Sequence, residues 1–144
     1  FFMSRYGIKR VMIISFMAWV LRFGFFATGG PEGFPVVFLV LSMIVYGMAF
    51  DFFNVSGSLF IADEAPDSIK ASAQGIFMMM TNGLGSIVGG YGAGLVIAYH
   101  SENGVVTDWP ACWTIFAAYA CVIGILFALT FHYKHQAKVK AEKV

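Results

Sequence analysis

The residues with chemistry to offer are gathered in one apolar run, Val45-Tyr46-Gly47-Met48-Ala49-Phe50-Asp51-Phe52-Phe53-Asn54-Val55-Ser56-Gly57-Ser58. A phenol, a carboxylate and an amide stand where hydrocarbon would be expected. Placing an Asp at bilayer depth costs about 2.5 to 3.5 kcal/mol on insertion scales, so the group normally faces a cavity, a partner or an ion path. On a helix, Ser42, Tyr46, Phe50 and Asn54 step by four and form one stripe. Asp51 lies about 100° round from Phe50, beside Gly47, Asn54 and Ser58. Counted from an outer boundary near Val36, Tyr46 sits about 15 Å in and Asp51 about 22 Å in. Rings that stack, beside polar groups that replace lost water hydrogen bonds, suit a small, flat, polar ligand. The candidate ligand-binding residues are therefore Tyr46, Phe50, Asp51 and Asn54, and Asp51 is the one that could also serve an ion path. The plainer alternative has Asp51 snorkelling to the inner interface, Tyr46 bonding a backbone carbonyl and Asn54 joining helices.

Other groups carry less. Arg22 is a second charge inside an apolar stretch; its closeness to Thr28 and the next loop favours outward snorkelling over a pairing with Asp51 or with residues outside this chain. Gly85-xxx-Gly89 and Gly90-xxx-Gly94 place small residues on one face, which lets another backbone approach. No strand precedes these glycines and no Gly-Lys-Ser/Thr follows, so they are not a phosphate loop. Gln74 and Asn82 are weaker candidates for a cavity wall, and Met78-Met79-Met80 reads as gap-filling core. Cys112 and Cys121, nine residues apart on one helix, read as small packing residues that do not bridge. His100, His132 and His135 fall at span ends. No nucleophilic triad, metal-type spacing or nucleic-acid footprint is present, so neither an enzyme, a cofactor nor a nucleic-acid partner is expected.

These groups must be held by a membrane scaffold. The chain of 144 residues is 59% hydrophobic and only 12% charged, against about 25% charged for a soluble domain. Four apolar spans are expected, about 11–28, 34–61, 71–99 and 110–133, each long enough for a bilayer. Breakers separate them: Gly29-Gly30-Pro31-Glu32-Gly33, the polar link 62–70 and a loop 100–109 turning at Asn103-Gly104. Asp67 or Ser68 suits the N-cap of the third span, and Pro110 the first turn of the fourth. The fold class is all-α and polytopic, with residues 1–133 as helical body and 134–144 as a basic tail. The start Phe1-Phe2-Met3, without initiator methionine or basic leader, reads as a piece of a longer protein.

Arg5, Lys9, Arg10, Lys70, Lys134, Lys138, Lys140 and Lys143 all fall on one side of these spans, and the two intervening loops hold no Lys or Arg. The positive-inside rule makes the turn 4–10, the link 62–70 and the C-terminus cytoplasmic. Trp109 and Trp113 at the outer end, with Tyr133 at the inner end, suit interfacial anchors.

Phe1-Phe2-Met3-Ser4-Arg5-Tyr6-Gly7-Ile8-Lys9-Arg10 resembles the basic cytoplasmic turn of the major facilitator superfamily, with Ser4 where that pattern commonly has an acid. Val45 to Ser58, with Lys70-Ala71-Ser72-Ala73-Gln74-Gly75 and Met79-Met80-Thr81-Asn82-Gly83, is similar to the bacterial nucleoside:proton symporters over nearly the whole chain. The resemblance implies helices 9–12 of a twelve-helix transporter in the bacterial cytoplasmic (inner) membrane. It implies a nucleoside substrate, the proton as coupling ion and no other cofactor. The partners would be membrane lipid and the missing N-terminal helices. It also implies that Tyr46, Phe50 and Asp51 occupy the family's tyrosine, phenylalanine and aspartate positions on the tenth helix. A permease for sugars or other small polar solutes, and a non-transporting membrane scaffold, stand as alternatives.

Overall fold

The computed structural model describes residues 7–30, 33 and 35–132. Helix α1 spans Ile8–Thr28 and α2 spans Val36–Glu64. Lys70–Met78 forms α3, Met79–Leu84 a π-helical turn, and Gly85–Tyr99 α4. A small hairpin pairs β1, Ser101–Glu102, with β2, Val105–Val106, and α5 runs Trp109–Thr130.

Long uninterrupted apolar sequence makes α1, α2 and α5; each is long and apolar enough to cross a membrane. Helix α2, at 29 residues, reaches about 43 Å at helical rise, beyond a hydrocarbon core of about 30 Å. The expected span 71–99 is different. The π-turn divides it, so three described helices rather than four meet the length criterion unaided. The cause is local. Thr81 Oγ1 donates to the Phe77 carbonyl at 2.8 Å, and Gly83 and Gly85 follow two and four residues on, a sequence of a kind that loosens the regular ladder. The backbone nonetheless stays right-handed helical through both junctions, with φ −65°, ψ −41° at Met79 and φ −58°, ψ −42° at Gly85.

Helix ends follow the sequence with small shifts. Pro110 lies in the first turn of α5, and the Asp108 side chain caps that turn by accepting from the Ala111 N–H at 2.9 Å. Neither Asp67 nor Ser68 caps α3. Its N-cap is Ile69, and Asp67 instead pairs with Lys70 at 2.8 Å, an exposed contact one turn long. Asn103 and Gly104, both at positive φ, turn the hairpin as their types require. The residues Ser4, Arg5, Tyr133, His135 and the basic tail lie outside the described residues.

The core is a wedge of α1 against α2 and α5, and small side chains bring the three together. Val11, Ser15 and Ala18 of α1 meet Ser42, Ala49 and Ser56 of α2 and Cys112 and Ala120 of α5, all buried. Ser15 Oγ donates to the Ala49 carbonyl at 2.5 Å, and Ser42 Oγ donates to the Arg22 carbonyl at 3.3 Å. Seven residues on along α1 are thus seven back along α2, a constant antiparallel register. Trp113 ties α5 to α1 through Phe23 and Phe26, with ring centroids 6.1 and 4.8 Å away, while Trp109 remains exposed. Both cysteines are free; Cys112 is buried and Cys121 exposed, so only the first packs as expected. Outside this wedge, apolar side chains point outward: Met43 is 73% and Tyr91 72% exposed. Met78, Met79 and Met80 belong to that outward surface and not to a core.

Candidate functional site

The stripe anticipated on α2 is present. The Tyr46 and Phe50 rings stand 5.9 Å apart with planes 39° from parallel, and Asn54 follows one turn on. Asn54 Nδ2 donates to the Phe50 carbonyl at 2.9 Å, which turns the amide nitrogen back to its own helix and leaves the amide oxygen for another partner. Asp51 leaves this row. It is exposed, and among the described residues it makes no hydrogen bond or ion pair. One helix therefore offers a ring ladder with an amide end and, about 100° round, an unengaged carboxylate.

Behind the ladder lies what the sequence did not announce. The register set by Ser15 and Ser42 brings Trp19 about level with Tyr46 and places Arg22 one turn further on, beside Ser42 and within side-chain reach of the Tyr46 ring. Trp19 meets the Tyr46 ring edge-on at 5.8 Å. The Arg22 guanidinium carbon lies 3.9 Å from the Tyr46 centroid, 5.3 Å from Trp19 and 5.5 Å from Phe26. Arg22 thus does not snorkel outward; the aromatic faces of its own and the neighbouring helix hold it in place. As expected, it does not pair with Asp51. The spacing Trp19, Arg22, Phe26 puts a ring one turn to either side of the cation, a signal legible in sequence once the partner helix is known.

A cavity of about 230 Å³ opens between α1, α2 and the π-turn. Phe16, Trp19, Phe50 and Phe53 form its apolar walls, and Asn54, Thr81 and Asn82 bring polar groups to it. Asn82, a weak candidate on sequence, thus lies in the same cavity as Asn54, whereas Gln74 does not. Gln74 Nε2 donates to the Ser58 carbonyl at 2.6 Å and fastens α3 to α2. Phe16, Trp19 and Thr81 were missed, because an aromatic on an apolar helix reads as filler until its facing helix is placed.

The glycines behave unexpectedly. A Cβ built at Gly89, Gly90 or Gly94 would meet nothing within 4 Å, and one at Gly85 only the Met80 carbonyl at 3.2 Å. No neighbouring helix among the described residues uses that seam. The close approaches occur elsewhere: a Cβ at Gly57 would strike the Phe77 ring, and one at Gly124 would lie 3.1 Å from Phe16 Cβ. Among the described residues, no group of His, Cys, Asp or Glu is arranged to hold a metal ion.

A family model described as nucleoside H+ symporter matches residues 1–136. The chain belongs to that family. It is 57% identical over 135 residues to the nucleoside permease NupG of Escherichia coli (strain K12), covering 94% of this chain and 32% of that protein. It is 50% identical over 145 residues to the xanthosine permease of the same strain, covering 100% of this chain and 34% of the relative. A crystal structure of the nucleoside transporter NupG superposes with TM-score 0.85 at 57% identity, over 93% of this chain and 33% of that one. An aspartate-to-alanine mutant of NupG gives TM-score 0.86 at 55% identity, over 92% and 33%. The chain spans about a third of the length of these relatives.

Proposed function

We propose that this chain is the C-terminal part of a proton-coupled nucleoside transporter that works by alternating access in the bacterial inner membrane. The observation that carries the reading is the Tyr46–Phe50 ring ladder with an unengaged Asp51 next in sequence, midway along a helix long enough to span. Rings of this kind stack on a base or ribose, while Asn54 and Asp51 supply the hydrogen bonds that a nucleoside loses on leaving water. The named activities of NupG and of the xanthosine permease support the same substrate class.

Asp51 would bind a substrate hydroxyl or carry the coupled proton. A carboxylate couples a proton gradient to a solute only when occupancy changes its surroundings, and an exposed carboxylate on a cavity-facing helix is free to undergo such a change. The proton is the coupling ion; no resident cofactor enters the mechanism.

Lys70 to Tyr99 would form the third of four spans despite its π-turn, because the backbone remains helical across both junctions. The four spans then correspond to helices 9–12 of the transporter, with a cytoplasmic C-terminus. The open seam at Gly85, Gly89, Gly90 and Gly94 would pack against helices N-terminal to this chain.

Uptake of labelled nucleoside by the full-length protein in proteoliposomes tests the reading. Uptake driven by an inward proton gradient, inhibited by adenosine or uridine and not by glucose, is expected. Competition by glucose would favour a sugar permease instead. Absence of both uptake and saturable ligand-induced stabilisation would leave a membrane scaffold.

A further inference from the structure

Arg22 is the cation that neither the fold nor the proposed site yet explains. It lies well inside α1, its Nε and Nη1 are buried, and they find no acceptor among the described residues. A charge at such depth is normally satisfied by an acid or by backbone carbonyls. Here rings surround it, and the nearest belongs to Tyr46 on the adjacent helix. The guanidinium lies over that ring, Trp19 meets it edge-on, and the residue Tyr46 is still 41% exposed. Tyr46 is therefore held from the α1 side while part of its surface stays open.

We propose that Arg22 is a positioning residue of the nucleoside site, a clamp from α1 that fixes the plane of Tyr46 so that its free face is presented to the substrate base. The inference rests on the nucleoside reading given above. Its physical basis is preorganisation. A ring already held in its bound orientation loses less freedom when ligand stacks on it, so the clamp strengthens binding without touching substrate. A planar guanidinium performs this function by lying flat on the ring, and a lysine ammonium, compact and strongly hydrated, does not. The guanidinium offers no hydrogen-bond acceptor, so the Tyr46 O–H stays available to donate to substrate.

The test uses full-length transporter in proteoliposomes, with labelled uridine and adenosine and rates normalised to folded protein. Arg22→Lys and Arg22→Gln should each raise the half-saturation concentration about five- to tenfold while the maximal rate stays within about twofold. In a Tyr46→Leu background, Arg22→Lys should change half-saturation by less than about twofold, because the clamped ring is gone. The inference is overturned if Arg22→Lys leaves half-saturation unchanged, if the effects of the Arg22 and Tyr46 substitutions multiply independently, or if neither Arg22 variant folds. Wild-type protein that takes up no nucleoside overturns the nucleoside reading itself, and the clamp with it. Wild-type uptake with an unaffected Arg22→Lys variant overturns the clamp alone.

Discussion

The Ser15 hydroxyl donates to the Ala49 carbonyl at 2.5 Å across the buried face between α1 and α2. With Ser42 and the Arg22 carbonyl seven residues away on each helix, it fixes which α1 side chains stand beside which turns of α2. Every lateral neighbour of the ring ladder follows from that register. Ser15→Ala should lower thermal stability by roughly 0.6 kcal/mol, the average for hydrogen bonds between membrane helices. Ser15→Leu should cost several times more by forcing the helices apart. Unfolding curves of the full-length protein in detergent would show it, and equal midpoints for the two variants would contradict this packing.

Gly57 sits where the Phe77 ring crosses α2. Gly57→Ala adds a methyl group that the ring must yield to, an overpacking cost of about 1–3 kcal/mol, against roughly 1 kcal/mol gained in helix propensity. The single variant should therefore be neutral to moderately destabilised. Combined with Phe77→Leu, the same change should cost less than the sum of the two single substitutions. Additive midpoints would show that the ring and the glycine do not meet.

How far the sequence carries can be read from these contacts. Three of the four expected spans were legible because apolar length is a local property, and the hairpin turn was legible because Asn103 and Gly104 both take positive φ. The π-turn was not, since hydropathy is blind to a one-residue change in hydrogen-bond register. The Tyr46, Phe50, Asn54 row followed from helical spacing alone. Arg22 was misplaced because depth counted along one helix says nothing of the face presented by the next. The glycine pattern of α4 suggested close packing, yet close approaches among the described residues fall at Gly29, Gly57 and Gly124, outside that pattern.

Asn54 and Asn82 line one cavity from two elements. Asn82→Ala should alter the ratio of purine to pyrimidine nucleoside uptake by roughly threefold or more if that cavity accepts part of the base, since a lost polar contact discriminates between ring edges. Competition assays with adenosine, inosine and uridine would measure it. An unchanged ratio would limit Asn82 to helix packing.

The open face of α4 carries a prediction that depends on the longer protein. Gly89→Leu and Gly90→Leu meet no obstacle among the described residues. In the full-length transporter they should nonetheless lower the unfolding midpoint or abolish uptake, by filling a seam that upstream helices occupy. Wild-type stability and uptake in both variants would mean that lipid, not protein, covers that face.

The central claim is that Asp51, beside the ring ladder, links nucleoside to proton movement. The most direct measurement is uptake by full-length protein in proteoliposomes with and without an inward proton gradient, comparing wild type with Asp51→Asn and Asp51→Ala. The account predicts gradient-driven accumulation in the wild type and its loss in both variants, with correctly folded protein retained. Accumulation by Asp51→Ala at the wild-type rate and with the wild-type gradient dependence would contradict it.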